Sequence, residues 1–249
     1  MDRSCTAPEP RAVTVRQLRN GVWQDIDDVV SHEVPLSLAW EGGQTRLWAW
    51  PQHFDDLVLG HVLLDRLHDG PHDGPPRNGL PRGGKVLTEG ERAFRVVLDP
   101  PPAAHELCEP GHIDAATLLG AMAEFMGDTG LWDGTGCFHR AGVYDIASGK
   151  VLQRAEDIGR HNCLDRLAGW AAREGVDLSG LVLLVSARVT ASLCAKALRA
   201  GFRFIVSRSA VTTASVDMAL GGGVTLVGFA RDRENRLTVF ADTALRVRP

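Results

Sequence analysis

The sequence has few of the features that mark several large classes of protein. Its five cysteines lie far apart in 249 residues and are odd in number, which argues against a disulfide framework and indicates reduced thiols. No run of about 18 apolar residues occurs, and the first residues lack the apolar core of a signal peptide. The sequence therefore predicts a cytoplasmic protein that does not cross a membrane.

An excess of basic charge is also missing. Charged residues make up 23% of the chain and the formal net charge is -4, so no overall field exists to hold nucleic acid, and any anion site must be local. No internal repeat of solenoid length is present. Zinc deaminases need His-x-Glu with Pro-Cys-x-x-Cys. Neither pattern occurs, so we predict neither zinc nor another metal site.

Hydrophobic residues account for 44% of the chain, which is enough for a real core in one large domain or two small ones. Composition and periodicity divide the chain into a flexible tail over residues 1–12, a small α+β lobe over 13–111 and an α/β domain over 112–249. A Gly/Pro-rich loop is predicted inside the small lobe, over 69–85. Within that lobe we expect two strands around Glu41 and Gly42, then a helix in FDDLVLGHVLLDRL.

The second half of the chain has a regular pattern. After a helix in IDAATLLGAMAEFMG, residues 113–127, and a hairpin that turns at Ser148 and Gly149, apolar strands alternate with helices. The predicted strands cover 181–186, 202–207 and 224–229, and the predicted helices between them cover 190–200 and 212–220. This alternation indicates a mostly parallel sheet covered on both faces.

Each of these three strands is followed by arginine. The residues concerned are Ser186 and Arg188, then Ser207 and Arg208, then Phe229, Ala230, Arg231, Asp232 and Arg233. Ligands of parallel sheets bind outside the carboxyl ends of the strands, where helix N-termini also point. Guanidinium groups and helix N-termini at one edge favour a site for phosphate or another polyanion. Ordinary strand-end loops with solvated arginines are the alternative.

The stretch AEDIGRHNCLDRLAGW begins a helix with an unusual set of polar residues. Helix-capping preferences account for Asp157 and Asn162. They do not account for Arg160 and His161, because the helix dipole disfavours cations at this end. These two residues could add positive charge and hydrogen-bond donors to the same crevice.

The cysteines divide by their surroundings. Cys137 precedes His139 and Arg140, and basic neighbours lower a thiol pKa and make the thiol nucleophilic. A buried, inert Cys137 is the alternative. Cys163 and Cys194 lie in apolar helical patterns and are predicted core residues.

Several long blocks, taken in order, resemble the FdhD family of formate dehydrogenase accessory sulfurtransferases. They are GTGCFHRAGVYDIASGK, EDIGRHNCLDRLAGW, the SAR and SRSAVTTASVDMA segments, and VTLVGFARDRENRLTVF, with weaker likeness in HEVPLSLAWEGG. The resemblance implies a cytidine-deaminase-like α/β domain joined to a small lobe, commonly as a dimer. It also implies transfer of sulfur from a cysteine desulfurase to the bis(guanine dinucleotide) form of the molybdenum cofactor, for a molybdoenzyme such as formate dehydrogenase.

The same resemblance implies where the cofactor, or a GDP-like moiety of it, would bind. The positions are residues 229–233 and the block that holds Asp157, Arg160 and His161. His139 and the residues that follow the first two strands, Ser186, Arg188, Ser207 and Arg208, would extend this site. The family's persulfide cysteine lies in a Cys-x-x-Cys loop, and this chain has no Cys-x-x-Cys. Cys108 or Cys137 could carry the sulfur instead, or the chain could be a non-catalytic cofactor-binding chaperone.

Overall fold

The computed structural model describes residues 8–66, 83–100, 108–127, 130–231 and 234–249. The chain builds two larger sheets and two small ones from strands β1–β14, with helices α1–α6. None of the described helices is long and apolar enough to cross a membrane.

The first of the larger sheets has four strands in the order β4-β3-β6-β5. Its strands are β3 (Val34–Trp40), β4 (Gly43–Ala49), β5 (Gly84–Gly90) and β6 (Ala93–Leu98). Apolar residues alternate along β3, so Leu36 and Leu38 face inward. They pack against α1 (Phe54–His61), which continues into a π-helical turn, Val62–Arg66. The two strands predicted around Glu41 and Gly42 are confirmed, and β5 was not predicted.

The chain starts with a hairpin of its own. Strands β1 (Arg11–Arg19) and β2 (Val22–Val30) pair antiparallel and form a separate two-stranded sheet. Among the described residues, regular structure therefore begins at Arg11, so the last two residues of the predicted flexible tail belong to β1. The predicted loop over 69–85 falls mainly outside the described residues, and its last two residues already belong to β5.

The second of the larger sheets has six strands in the order β13-β12-β11-β10-β8-β9. They are β8 (His139–Asp145), β9 (Lys150–Asp157), β10 (Val182–Val185), β11 (Phe204–Ser207), β12 (Thr225–Arg231) and β13 (Arg236–Ala241). Strands β10, β11 and β12 are parallel, whereas the other three pairings are antiparallel. The prediction of a mostly parallel sheet is therefore wrong. The hairpin β8–β9 joins the edge of β10, and the short connection after β12 brings β13 back antiparallel.

Helices cover both faces of the six-stranded sheet. They are α2 (Ala115–Gly127), α4 (Arg160–Glu174), α5 (Ala191–Arg199) and α6 (Thr213–Gly221). The short helix α3 (Leu131–Thr135) has no buried residue and contacts β2. Residues of α4 and α5 share one core with inward-facing residues of the sheet. Residues of α2 form a second core on the opposite face. The short strands β7 (Ile113–Asp114) and β14 (Val247–Arg248) pair beside it. A mixed α/β fold is thus confirmed, while the cytidine-deaminase-like description and the division into 1–12, 13–111 and 112–249 stay predictions.

Glycines bring α1 and α4 into close contact. A Cβ at Gly60 would lie 1.8 Å from the carbonyl oxygen of Asp165, and one at Gly169 would lie 1.9 Å from that of Asp56. Neither position leaves room for a side chain, because a backbone carbonyl lies where the Cβ would be. This crossing fixes the four-stranded sheet and its helix against the start of α4.

Candidate anion-binding site

The carboxyl ends of β10, β11 and β12 meet at one edge of the sheet, as predicted. Arg188 and Arg208 follow β10 and β11, and Arg231 ends β12. Strand β8 runs antiparallel to β10 with Ala141 opposite Val185, so the start of β8, at His139, lies at this same edge. Arg160 begins α4 beside it. We call His139, Arg160, Arg188, Arg208 and Arg231 the arginine edge.

Three members of the arginine edge influence one another directly. Burial lowers the pKa of His139, and the guanidinium groups of Arg160 and Arg188 lower it further. His139 is therefore neutral at pH 7 and lies within the positive field of two arginines. The negative charge of a bound anion would offset the positive charge of the two arginines. The pKa of His139 would then rise, and the imidazole would take up a proton more readily.

The arginine edge carries donors that the described chain does not use. The Nε atom of Arg160 is buried and has no hydrogen-bond partner among the described residues. Arg188 and Arg208 are exposed, and neither forms an ion pair within the described part of the chain. Buried donors normally have partners, so the Nε–H of Arg160 is a candidate donor for a hydrogen bond to an acceptor atom of a ligand.

His161 lies next to the arginine edge. Its Nε2 atom is 3.3 Å from the hydroxyl of Ser192, which is 3.1 Å from the hydroxyl of Thr190. Thr190 is the N-cap of α5. Burial lowers the pKa of His161, and the positive charges of Lys196 and Arg160 lower it further, against the opposing effect of Asp165 and Asp65.

The far end of the edge contains strained backbone. Phe229 has φ 52, which is uncommon for a residue other than glycine. The register between β12 and β13 shifts at this point, and such bulges re-aim side chains beside functional sites. The guanidinium of Arg236 lies 4.3 Å from the centre of the Phe229 ring, and that of Arg231 lies 5.4 Å from it. Arg231 also donates to Glu234 at 2.8 Å.

Other predicted site residues point into the protein. The hydroxyl of Ser207 is buried, donates to the carbonyl of Ala187 at 2.8 Å and accepts from Ser209 N–H. Ser186 accepts from the N–H of Arg140 at 2.9 Å. Both serines thus tie the strand-end loops together. Ala230 is fully buried. Asp232 and Arg233 lie outside the described residues.

Asp157 is fully buried, and its carboxylate organises the start of α4 from inside. One oxygen, Oδ1, accepts from Gly159 N–H at 3.0 Å and from the Asn162 amide at 2.9 Å. The other, Oδ2, accepts from Nε and Nη2 of Arg166. Asp157 is not a helix cap, because the N-cap position belongs to Gly159. Its contacts hold Arg160 and His161 in place at the edge.

Arg140, named above only as a basic neighbour of Cys137, and Arg166, which the sequence did not single out, lie close to the candidate site as buried ion-pair partners. Arg140 donates to Glu156 at 2.5 Å and to Asp133 at 3.1 Å. Arg140, Arg166 and Glu156, together with Asp56 and Trp50, line a cavity of about 300 Å³ between β9 and the segment that joins β4 to α1. Because Arg140 and Arg166 already pair with carboxylates, their positive charge is balanced. This cavity therefore attracts a polyanion less strongly than the arginine edge does.

The exposed thiols lie at opposite edges of the sheet. Cys108 donates its N–H to Ser179 at 2.8 Å, which places it beside the amino end of β10. Cys137 is exposed and lies two residues before His139, on the side of the arginine edge. The four residues of β10, at about 3.3 Å each, separate the two ends of the strand by roughly 13 Å.

The remaining described cysteines are core residues, as predicted. Cys163 and Cys194 are buried. Burial raises the pKa of Cys163 well above its ordinary value and that of Cys194 to about 11. Both are therefore protonated, unreactive thiols at neutral pH.

Within the part of the chain that the structure describes, one group of metal-type ligands is present, and it already holds a cation. His61, Asp65 and Asp165 converge at the contact between α1 and α4. The ammonium of Lys196 lies 2.8 Å from Asp65 and 2.7 Å from Asp165, and Arg199 contacts Asp65 at 3.0 Å. The lysine stands where a metal ion would otherwise balance the two carboxylates. The prediction of no zinc stays a prediction.

The fold and the arginine edge define a mixed α/β protein with basic side chains gathered at the carboxyl ends of its parallel strands. Residues 85–247 match the FdhD/NarQ family. The protein named sulfur carrier protein FdhD of Bordetella parapertussis is 31% identical, covering 94% of this chain and 96% of its own. That of Xanthomonas campestris pv. campestris strain B100 is 30% identical, covering 89% and 87%. The chain belongs to the FdhD/NarQ family.

A solved structure has the same fold. The crystal structure of a formate dehydrogenase accessory protein from Desulfotalea psychrophila superposes with a TM-score of 0.78. It covers 96% of this chain and 99% of its own, at 20% sequence identity. The family resemblance seen in the sequence blocks is confirmed.

Proposed function

We propose that this chain is a sulfur carrier for the maturation of a formate dehydrogenase, and that its cargo binds at the arginine edge. The names of its relatives support the sulfur-carrier role. The proposed cargo is the molybdenum bis(guanine dinucleotide) cofactor, recognised through a GDP-like moiety. The observation that carries the proposal is the convergence of His139, Arg160 and Arg188, with a buried guanidinium donor left unused by the described residues.

The dimensions of the edge suit a ligand with several phosphates. Neighbouring strands lie about 4.8 Å apart, so β8, β10, β11 and β12 spread their terminal residues over roughly 15 Å. A ligand along this line reaches Arg188, Arg208 and Arg231 in turn. Each guanidinium can form charge-assisted hydrogen bonds with phosphate oxygens. The N-termini of α5 and α6 face the same side and favour negative charge.

Cys137 is the thiol that this arrangement favours for sulfur loading. It is exposed and on the cargo side, whereas Cys108 lies beyond the opposite end of β10, which is roughly 13 Å long. The Cys137 thiolate attacks the terminal sulfur of a cysteine desulfurase persulfide. A new sulfur–sulfur bond forms, the bond to the desulfurase cysteine breaks, and the desulfurase thiolate leaves. Sulfur is then held beside the bound cofactor.

Loading is measured by intact mass after incubation with a cysteine desulfurase and cysteine, followed by peptide mapping. The account predicts a reductant-labile gain of one sulfur on Cys137, retained in Cys108→Ala and lost in Cys137→Ala. A gain on Cys108 alone contradicts the assignment to Cys137. No gain, with the desulfurase active on a control acceptor, contradicts sulfur carriage itself.

The second candidate function is a non-catalytic chaperone for the same cofactor or for a nucleotide. The absence of a Cys-x-x-Cys sequence favours it. Nucleotide binding at the arginine edge without any persulfide would support it. In either role we propose a cytoplasmic protein that acts as a homodimer and meets a molybdoenzyme, with no nucleic-acid or membrane partner.

A further inference from the structure

We infer that the cavity beside β9 binds an extended, uncharged peptide segment of another protein, which adds to the six-stranded sheet as a strand next to β9. We call this cavity, whose walls include Trp50, Phe125, Arg166 and residues 153–156, the β9 cavity. Among the described residues, none of the arginine edge lines it. Peptide binding here is therefore independent of cofactor binding and of sulfur carriage.

The β9 cavity lies at an open edge of the six-stranded sheet. Strand β9 is the last strand in the sheet, so within the described residues no strand pairs with its outer edge. Four consecutive residues of β9, 153–156, line the cavity. Successive side chains of a strand point to opposite faces of a sheet, so the cavity reaches both faces. Its walls accordingly include Phe125 of α2 on one face and Arg166 of α4 on the other.

The outer edge of β9 offers backbone hydrogen-bonding groups to a ligand. In the antiparallel pairing of β9 with β8, alternate residues direct their N–H and C=O groups towards the partner strand, and the others direct theirs away from it. Two of the residues in 153–156 thus direct these groups towards the cavity. An extended peptide supplies both donors and acceptors at this spacing, as in strand addition at other sheet edges. At about 3.3 Å per residue, the lining part of β9 is roughly 13 Å long and matches about four residues of peptide.

The charged side chains around the β9 cavity are paired with opposite charges. The ion pairs are Arg140 with Glu156, Arg166 with Asp157, and Asp56 with Arg173. Arg154 is exposed to solvent, where salt screens its charge. A charged group inside the cavity would lose its hydration and would have to compete with these pairs. The cavity therefore favours an uncharged ligand.

Apolar and amide side chains complete the lining. Trp50 and Phe125 are almost fully buried, and Leu131 is partly buried. These three residues provide an apolar wall for one side chain of the ligand. Gln52 and Gln153 carry amide groups, which can donate to and accept from peptide groups. Strand addition combines main-chain hydrogen bonds with pockets for side chains, and this lining provides both.

The shape of the β9 cavity favours a flexible segment over the edge of a folded sheet. Its volume of about 300 Å³ is at the lower end of the range for ligand pockets. The segment that holds Trp50, Gln52 and His53 forms the wall opposite β9, and His53 has φ 44, a strained conformation of the kind found at ligand clamps. In a second copy of this chain β9 lies behind the same walls, so two β9 edges are kept apart. An extended segment is narrow enough to enter.

The probe is a phage-displayed library of random heptapeptides, selected on the full chain without nucleotide. We expect the enriched peptides to carry an apolar residue between uncharged residues. Synthesised with a fluorescein label, they should bind the full chain. Gln153→Trp should weaken this binding at least about tenfold, because the indole fills the cavity. Gln44→Trp, the same change at an exposed position of β4, should leave the affinity unchanged.

Hydrogen exchange on the wild-type chain locates the bound peptide without any substitution. Binding should slow the exchange of backbone amides in residues 153–156 and should not affect those of β13, the strand at the other end of the same sheet. Failure to enrich a binding peptide, exchange that is not slowed in β9, or equal weakening by both tryptophan variants overturns the inference. Peptides that GDP displaces and that no longer bind Arg188→Ala overturn it as well, because they bind at the arginine edge.

Discussion

Arg166 of α4 and Asp157 of β9 form a buried ion pair, with Nη2 of Arg166 2.6 Å from Oδ2 of Asp157. The same guanidinium donates to the backbone carbonyls of Trp50, Gln52 and His53, in the segment between β4 and α1. One side chain thus joins the helix start that carries Arg160 and His161 to the four-stranded sheet. The arginine edge depends on this junction for its geometry.

Replacing Arg166 tests the junction. Arg166→Met leaves the buried carboxylate of Asp157 and three carbonyls without their donor, so we expect a loss of about 3–5 kcal/mol in the free energy of unfolding. Arg173→Met is the matched control, because Arg173 is also on α4 and pairs with Asp56 at 2.9 Å but is 44% exposed. Its loss should stay below about 1 kcal/mol. Urea unfolding of both variants provides the comparison, and equal losses would contradict the special role of Arg166.

The glycine crossing of α1 and α4 makes a second prediction. Gly60→Ala drives a methyl group against the carbonyl oxygen of Asp165, at 1.8 Å. The helices must separate, which should cost about 3 kcal/mol or more. Gly120→Ala is the control, since nothing lies within 4 Å of its Cβ. There, the better helix propensity of alanine should stabilise the protein by about 0.5–1 kcal/mol. Thermal unfolding measures the change in stability of each variant relative to the wild type. If both variants were stabilised, or both destabilised, the result would contradict the close contact between α1 and α4.

The histidines beside the arginine edge predict how stability varies with pH. The folded-state pKa values of His139 and His161 lie below their ordinary values. The unfolded chain therefore binds protons at these positions more readily than the folded chain does. Stability should be fully present above the unfolded-state pKa, near 6.5, and should decrease below it until the folded-state pKa values are passed.

Urea unfolding between pH 5 and pH 8 measures this dependence. Each histidine contributes a slope of at most about 1.4 kcal/mol per pH unit in that window. His139→Gln and His161→Gln should each flatten the dependence. A wild-type stability that rises as the pH falls from 7 to 5 would show that these imidazoles are not disfavoured as cations.

Local patterns predicted the elements of the second half of the chain well, because each strand and helix there has its own apolar period. The grouping of arginines at one edge followed from the same pattern, since consecutive parallel strands end at the same side. The hairpin β8–β9 was predicted as a hairpin, but its pairing with β10 depends on contacts between distant residues. That pairing is what brings His139 and Cys137 to the arginine edge.

Buried charge was harder to predict than exposed charge. Lys196 pairs with Asp65, far away in the sequence, and Arg140 and Arg166 pair with carboxylates on other elements, such as Glu156 and Asp157 of β9. Their one local signal is a charged residue inside an otherwise buried stretch, as at Asp165 and Arg166 in α4. Asp157 is a residue whose local pattern gave the wrong role. Its position suggested a helix cap, and tertiary pairing with Arg166 took precedence.

The affinity of the purified protein for GDP, measured by isothermal titration calorimetry, tests the central claim most directly. The account predicts binding that Arg188→Ala and Arg231→Ala each weaken by about 1–3 kcal/mol, the scale of a lost charge-assisted hydrogen bond. Arg92→Ala, an exposed arginine that follows β5, should bind as tightly as the wild type. Absence of GDP binding, or unchanged affinity in both edge variants, would contradict a cargo site at the arginine edge.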